Sequence, residues 1–250
     1  MPVNPVHGFR CFLQGARLML SPSLRVFVLM PILINAVLFV LLTWWVVGQF
    51  DGWMTQLVSG LPDWLAAISS GVLALFLGLL LMIFMGVGFL PLTNFVAAPF
   101  NGLLAERAQW LVAGIAPPDE NIAALVWRSV WRELRKLAYF LPRSLGIFLL
   151  VCVLSFIPLL NVLALVISFV WGAWYMTAQY LDYCEDNQQR SFNSTLTLMR
   201  RQRLHSYGFG SAVMLAAMVP VLNWFVMPAA VCGAAHLWAQ SLQLQADPVA

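Results

Sequence analysis

Four long stretches of the chain contain no Asp, Glu, Lys or Arg. They cover residues 26–50, 64–105, 144–181 and 204–246. A helix needs about 20 apolar residues to cross the hydrocarbon core of a bilayer, and an open strand could not satisfy its backbone hydrogen bonds there. The first two stretches therefore predict transmembrane helices at 22–50 and 64–92.

The two later stretches are each interrupted by a proline. "IPLLN" at 157–161 and "VPVLN" at 219–223 leave arms of about 14 and about 15 apolar residues before the break. Arms of this length are too short to cross a bilayer. They predict two partially inserted helical hairpins, at 144–181 and 204–241, and six full spans are the alternative.

The N-terminal segment 7–20 predicts an amphipathic helix that lies on the membrane surface. Its apolar side chains share one helical face, and two arginines and a glutamine point away from that face. The apolar face consists of Phe9, Phe12, Leu13, Ala16 and Leu20.

The polar block 101–143 predicts helices at the cytoplasmic face of the membrane. It contains a basic stripe at helical spacing, made of Arg128, Arg132, Arg135 and Lys136. Such a stripe either binds anionic lipids or attracts anions to an entrance, and the lipid interpretation is favoured. Trp127 and Trp131 line another face of the same helix.

Composition and charge agree with a membrane protein. Apolar residues make up 62% of the chain and charged residues only 9%, whereas about a quarter of the residues of soluble domains are charged. The 250 residues suit a single membrane domain, 1–250. Basic residues are missing from the loop 51–63, so the face that carries them should be cytoplasmic. The predicted fold class is an all-α integral membrane protein with an amphipathic N-terminal helix, two full transmembrane helices and two partially inserted helical hairpins.

The sequence contains no recognisable motif for catalysis or metal binding. The three histidines are far apart, no H-E-x-x-H is present, and no G-x-x-x-x-G-K-[ST] phosphate loop occurs. The four cysteines are scattered, which predicts free thiols rather than a metal site or a disulfide framework. We therefore expect no enzyme activity, no cofactor, no metal and no nucleic-acid partner.

"SPSLR" at 21–25 predicts an anion site at the start of the first transmembrane helix. Ser21 is a natural N-cap, and the following proline suits the first helical position. Free backbone N–H groups around Ser21 to Leu24 could meet an oxyanion there, together with the guanidinium of Arg25. The alternative is that Arg25 only anchors the helix among lipid headgroups.

"NFVAAPFNGLLAE" at 94–106 introduces a break and a glutamate at the end of the second uncharged stretch. After the break at Pro99, Asn101 is predicted to cap a new helix whose first glycine permits close approach. Glu106, at membrane depth, is expected to pair with Arg107 or with an arginine of the basic stripe. Such a pair would form a gate, or Glu106 would carry a proton; a plain surface ion pair is the alternative.

Asn161 and Asn223 are placed at the tips of the two predicted hairpins. A broken backbone at membrane depth is tolerated only beside protein or a watery cavity. The two asparagines are therefore expected either to line a pore or to cap the helices that follow the breaks.

Several segments together resemble the CysZ family of bacterial sulfate transporters. They are "AAPFNGLLAE" at 97–106, "YFLPR" at 139–143, "AQYLDY" at 178–183 and "VLNWFVMPAAVCGAAHLW" at 221–238. The resemblance implies a multi-pass protein of the bacterial inner membrane that admits sulfate for cysteine synthesis without ATP hydrolysis. It implies a channel-like or proton-linked route and a homo-oligomer, built from dimers or reaching a hexamer.

The family's sulfate site uses an Arg–Arg pair at the start of the first span. Arg25 matches the first arginine, and Val26 stands at the second position. The sulfate site expected from the resemblance and the motif comprises Ser21, Ser23, Leu24 and Arg25. The hypothesis for gate and pore comprises Gly102, Leu103, Leu104, Glu106, Arg107, Arg128, Arg132, Asn161 and Asn223. The alternative function is a membrane scaffold or regulator whose basic face binds lipids or a partner enzyme.

Overall fold

The computed structural model describes residues 4–59, 98, 100–116, 118 and 121–246, with five isolated positions between 72 and 79. Within these residues the chain is α-helical and contains no strand, which confirms the predicted all-α class. The predicted transmembrane helix at 64–92 and the break at Pro99 lie outside the described residues, apart from the five isolated positions.

The helices are named in chain order. They are α1 (Pro5–Leu18), α2 (Arg25–Val58), α3 (100–113), α4 (Ile122–Ser155), α5 (Asn161–Asn187), α6 (Phe192–Arg201), α7 (Arg203–Ala217) and α8 (Pro220–Ala246). The chain divides into two compact units, one made of residues 1–32 and 98–250 and the other of residues 33–97. Helix α2 begins in the first unit, and its residues from Leu33 onward belong to the second.

Three helix ends follow from local sequence. Asn4 caps α1, because its side chain accepts a hydrogen bond from the Val6 N–H at 3.0 Å. Asn121 caps α4 in the same way through the Ala123 N–H at 3.1 Å. Helix α3 is followed by Gly114 at φ +68°, a left-handed conformation that glycine adopts without steric cost.

Helix α1 packs against α7 and α8 through small residues. Its buried face consists of Gly8, Cys11, Phe12 and Gly15. A Cβ atom on Gly8 would stand 1.9 Å from the carbonyl oxygen of His205, so only glycine permits this approach. The predicted apolar face is therefore divided: Phe12 is buried, whereas Phe9 and Leu13 are exposed. Whether that exposed side lies on a membrane stays a prediction.

Helices α4 and α5 form the first hairpin and turn at residues 156–160, where the break was predicted. Leu159 in this turn has φ +71° and is 89% exposed, and Phe156 is 88% exposed. Helix α4 continues unbroken through the predicted boundary at Arg143, because a loss of charge marks a change of surroundings rather than a helix end. The 34-residue helix is also much longer than its uncharged arm.

Helices α7 and α8 form the second hairpin. Helix α7 ends at Ala217 and α8 begins at Pro220, again where a proline was predicted to break the chain. Proline suits the first turn of a helix because no intrahelical partner is lost there. The core of the first unit lies where α1, α5, α7 and α8 meet, and residues Ala229–Cys232 of α8 are buried in it.

Candidate functional site

The start of α2 differs from the predicted capping arrangement. The helix begins at Arg25, so the predicted N-cap at Ser21 is wrong and lies one turn too early. The Ser21 N–H donates to the Leu18 carbonyl at 3.0 Å, and the Leu24 N–H donates to the Ser21 carbonyl at 3.1 Å. A separate turn therefore precedes the helix and occupies two of the amides that were expected to receive an anion.

The free amides belong to the next three residues instead. The first helical hydrogen bond runs from the Val28 N–H to the Leu24 carbonyl at 2.9 Å. The N–H groups of Arg25, Val26 and Phe27 consequently lack acceptors within α2, as in the first turn of any helix. Together with the dipole of α2 they form a small positive site.

The side chains around this helix start have different roles. Leu24 is fully buried and anchors the turn in the core of the first unit. Arg25 and Ser23 are exposed, and the hydroxyls of Ser21 and Ser23 lie 3.3 Å apart. Of the four residues predicted to bind sulfate, Ser23 and Arg25 therefore present exposed side chains.

Arg107 of α3 lies beside the same helix start. Its guanidinium carbon is 5.7 Å from the centre of the Phe27 ring, a cation–π distance. Arg107 is exposed, so its N–H donors remain accessible. The first turn of α2 therefore has a guanidinium in its own sequence and a second one from α3, although Val26 replaces the expected second arginine.

Gly102 lies in the first turn of α3, and Asn101 before it is already a helical residue. Residue 98 and residues 100–113 are helical, so the predicted N-cap role of Asn101 is wrong. Asn101 is fully buried, and its Nδ2 donates to Tyr183 Oη and to Met227 Sδ, both at 3.4 Å. Its Oδ1 has no hydrogen-bond partner among the described residues.

Polar side chains fasten α3 to the end of α5. Asn187 Nδ2 donates to the Gly102 carbonyl at 2.9 Å and to Gln109 Oε1 at 3.1 Å. Gln109 Nε2 donates in turn to the Cys184 carbonyl at 3.1 Å. Because these bonds are buried, losing one would leave an unsatisfied polar group. They fix the position of the predicted gate segment.

The remaining predicted gate residues of α3 divide between core and surface. Leu104 is fully buried and Leu103 is half-buried. Glu106 is half-buried and forms no ion pair with any residue that the structure describes. Its predicted pairing with Arg107 or an arginine of the basic stripe is wrong, because Arg107 lies over Phe27, while Arg128 and Arg132 pair with aspartates of α5.

Three of the four residues of the basic stripe form an ion-pair network with α5, whereas Arg135 is exposed. Arg132 contacts Asp182 with two parallel bonds, Nε to Oδ2 at 2.9 Å and Nη2 to Oδ1 at 2.6 Å. One turn earlier, Arg128 Nη1 lies 2.6 Å from Asp186 Oδ1. One turn later, Lys136 Nζ lies 2.5 Å from Glu133 Oε1 and 3.6 Å from Asp182 Oδ2.

Neighbouring helices complete this network. Thr195 of α6 donates to Asp182 Oδ1 at 2.7 Å. Glu185 accepts from Trp238 Nε1 of α8 at 2.7 Å and from Ser194 Oγ at 2.6 Å, and Arg190 lies 3.4 Å from it. Four helices therefore contribute to one polar core. Among the residues that the structure describes, its four cations, Arg128, Arg132, Lys136 and Arg190, lie with four carboxylates, Glu133, Asp182, Glu185 and Asp186.

The orientation of α4 is the reverse of the expectation from sequence. Arg132 and Lys136 are buried, so a lipid-binding role for these two residues is wrong. Trp127 is 70% exposed, and its ring stacks on that of Trp131 with centroids 6.3 Å apart. The missed signal was complementary spacing: Arg128 and Arg132 are four residues apart, as are Asp182 and Asp186 on α5.

The two tip asparagines do not cap their helices in the predicted way. Asn161 is the first residue of α5, where the N-cap position belongs to Leu160 and carries no side-chain hydrogen bond. Asn223 lies in the first turn of α8, with its backbone N–H bonded to the Val219 carbonyl at 2.9 Å. Both asparagines are exposed, and their role in lining a pore stays a prediction.

Titratable groups near α1 lie in an apolar environment. Burial raises the pKa of the Cys11 thiol to about 12, and this thiol donates to Gln240 Oε1 at 3.2 Å. Burial, followed by the nearby His7, lowers the pKa of His205. The rings of His7 and His205 are 5.2 Å apart. In the described part of the chain, no group of three His, Cys, Asp or Glu side chains could hold a metal.

Four described helices are long and apolar enough to cross a membrane. They are Arg25–Phe50, Ala123–Ser155, Asn161–Asn187 and Leu222–Leu242. Buried charged side chains of α4 and α5 are paired with each other, while apolar side chains of the same helices face outward. This inversion of the usual soluble pattern and the four apolar helices indicate a multi-pass membrane protein.

Comparison with known sequences identifies the family. Residues 11–228 match the family described as Sulfate transporter CysZ/Etoposide-induced protein 2.4, and the chain belongs to it. A protein of Pseudomonas fluorescens (strain Pf0-1) named Sulfate transporter CysZ is 42% identical over 243 residues, 95% of each chain.

Proteins with the same name in two further bacteria are similarly related. The one from Pseudomonas syringae pv. tomato is 40% identical across 100% of this chain and 98% of its own length. The one from Salmonella paratyphi A is 40% identical across 94% of this chain and 92% of its own length. The similarity therefore extends over the whole described structure.

Proposed function

We propose that this chain is a sulfate permease of the bacterial inner membrane. It would admit sulfate for cysteine synthesis along a channel-like or proton-linked route, without ATP hydrolysis or catalytic turnover. The names of its relatives support the substrate, and the four apolar helices support a place in the membrane.

The observation that carries the proposal is the pair of guanidinium groups near the first turn of α2. Arg25 begins the helix, and Arg107 reaches the neighbouring Phe27 ring from α3. Free amides of residues 25–27 add donors at the positive end of the helix dipole. Arg107 thereby compensates for Val26, because a dianion needs several donors to replace its hydration shell.

The buried network of α4 and α5 supplies the proposed gate. Its described cations and carboxylates are equal in number, so this described part of the network offers a passing anion no net positive charge. Sulfate would have to compete with Asp182 and Asp186 for Arg132 and Arg128. Glu106, half-buried and without an ion pair among the described residues, would exclude anions until it is protonated or displaced.

A homo-oligomer is part of this proposal. Asn161 and Asn223 are exposed at the hairpin turns, where they would line a route only if other protomers or water covered them. Bare hydrocarbon cannot hold a dianion, because desolvation costs far more than one contact returns. The continuous polar lining would then come from several copies of the chain, either dimers or a hexamer.

Sulfate uptake by proteoliposomes tests the function. Purified chain should take up radiolabelled sulfate above empty vesicles, and Arg25→Ala and Arg107→Ala should each lower the initial rate about tenfold, since each removes a charged donor. Arg135→Ala is the matched control, because Arg135 is exposed on α4, outside the helix start. Its rate should equal that of the unaltered chain.

Two results would count against the proposal. Uptake no faster than in empty vesicles would favour a scaffold or regulator that binds lipids or a partner enzyme. Equal losses from Arg25→Ala and Arg135→Ala would mean that surface charge, rather than the start of α2, governs uptake. Repeating the assay with an imposed pH gradient, with Glu106→Gln as the variant, distinguishes a proton-linked route from a passive one.

A further inference from the structure

A groove between α4, α5 and the junction of α6 and α7 is not used by the proposed sulfate route. Its volume is about 500 Å³. The groove is lined by Tyr139, Ile147, Val166, Ile167, Val170, Trp171, Trp174, Arg200, Arg203 and Tyr207. These residues are cationic and aromatic at one end and aliphatic at the other.

The cationic end lies at the junction of α6 and α7. Arg200 is in the last turn of α6 and Arg203 is the first residue of α7. Both are exposed, and neither forms an ion pair with any other residue in the described ranges. Tyr207, one turn after Arg203, packs on Trp174 with ring centroids 5.5 Å apart. This contact ties the two arginines to the Trp174 end of the groove.

The aliphatic end extends along α5 toward the turn of the first hairpin. Its walls are Val166, Ile167 and Val170 of α5 and Ile147 of α4. At 1.5 Å per residue, the distance along α5 from Trp174 to Val166 is about 12 Å. This aliphatic part of the groove, which we call the trough, is thus long enough for most of an acyl chain. It leads toward the exposed apolar residues at 156–160.

We propose that this groove binds one anionic phospholipid. The phosphate contacts Arg200 and Arg203, and an acyl chain fills the trough between α4 and α5. A free oxyanion would use the arginines but not the trough, and a zwitterionic lipid would bring a positively charged group of its headgroup, besides its phosphate, close to two guanidinium groups that repel it. The inference rests on insertion of the first hairpin into the membrane and is independent of sulfate transport.

Native mass spectrometry of the full chain in detergent tests the site. The chain is titrated with phosphatidylglycerol and, separately, with phosphatidylcholine of the same acyl chains. Phosphatidylglycerol should bind at least about tenfold more tightly, and the double variant Arg200→Gln/Arg203→Gln should lose that preference. Val170→Trp, which fills the trough but keeps both arginines, should weaken phosphatidylglycerol binding to a similar extent.

The control is Arg201→Gln, which removes an exposed arginine that neighbours Arg200 in α6 but does not line the groove. It should bind phosphatidylglycerol as the unaltered chain does, and millimolar inorganic phosphate or sulfate should not displace the lipid. Equal weakening in the control, equal affinity for phosphatidylcholine, or displacement by inorganic phosphate would each overturn the proposal. Unchanged binding by Val170→Trp would reduce the site to a surface oxyanion site and overturn it as well.

Discussion

Residues 161–170 and 177–187 belong to the same helix, α5, but lie in opposite surroundings. Between 161 and 170 only Ala164 is buried, although most side chains are apolar. Between 177 and 187 every residue is buried, including Asp182, Glu185 and Asp186. In water, the exposure of the apolar side chains at 161–170 would be unfavourable. Without partners, the burial of the charged side chains at 177–187 would be equally unfavourable. One helix thus joins an exposed apolar segment to a polar core held by its neighbours.

The largest expected effect comes from breaking the polar half. Asp182→Ala should lower the free energy of unfolding by about 3–5 kcal/mol, because it leaves Arg132 and Lys136 buried without their shared partner. Thermal unfolding in detergent measures the change. Leu165→Ala, in the exposed half of α5, is the comparison and should change stability by less than about 0.5 kcal/mol. Similar losses in both variants would contradict the contrast.

Two glycine positions sharpen the same comparison, because a change from glycine to alanine should destabilise the protein at one position and stabilise it at the other. Gly210 of α7 faces α5, where a Cβ would stand 1.8 Å from the Ala173 carbonyl oxygen, whereas a Cβ on Gly146 of α4 would meet no described atom within 4 Å. Gly210→Ala should cost about 1–3 kcal/mol or more by forcing the helices apart. Gly146→Ala should stabilise by about 0.5–1 kcal/mol, because alanine favours a helix over glycine.

Destabilisation by both alanines would mean that α4 is packed near Gly146. Stabilisation by both would mean that α5 and α7 are farther apart than the structure shows. Melting temperatures measured in one detergent at one protein concentration make the two variants directly comparable.

A smaller effect is expected at the turn of the first hairpin. Leu159 holds φ +71°, where L-residues other than Asn and Asp are unfavourable. Leu159→Gly should therefore raise the melting temperature slightly in detergent, corresponding to about 1 kcal/mol or less. Leu160→Gly, at φ −81°, is the control and should lower it instead. A decrease for both would show that the apolar side chain of Leu159 contributes more than its backbone strain.

The smallest expected effect is a pH dependence of stability that arises from His205 of α7, outside the polar part of α5. Burial, together with His7, holds the pKa of His205 below its ordinary value of 6.5 in the folded chain. The unfolded chain therefore binds the proton more readily, so stability should be complete above about pH 6.5 and should decline as pH falls below it. His205→Phe should flatten this decline in thermal unfolding curves. If the decline of stability with falling pH is unchanged in this variant, titratable groups other than His205 cause it.

Much of the fold could be predicted from the sequence because breaks and caps are local. The prolines at 158 and 220 mark the two hairpin turns, and Asn121 caps α4 as its residue type favours. The start of α2 could not be placed, because the turn at Ser21 and a cap at Ser21 have the same sequence signature. Only the hydrogen bond from Leu24 to Ser21 distinguishes them.

The candidate site was less accessible to sequence reasoning because its partners are distant in sequence. Arg25 is at the helix start as predicted, but the position of Arg107 beside Phe27 depends on how α3 packs. The stripe at 128–136 was recognised as basic, whereas its burial depends on acidic residues about fifty positions later. Reading charge spacing on α4 and α5 together would have suggested the pairing.

The separation of those charges along the chain has a consequence for biosynthesis. Arg132 leaves the ribosome 50 residues before Asp182, so the positive side of the pair emerges first. Until their acidic partners are made, Arg128 and Arg132 have no carboxylate of α5 to pair with, and we expect them to stay hydrated. We therefore expect the first hairpin to reach its final packing as one unit, once α5 has been made.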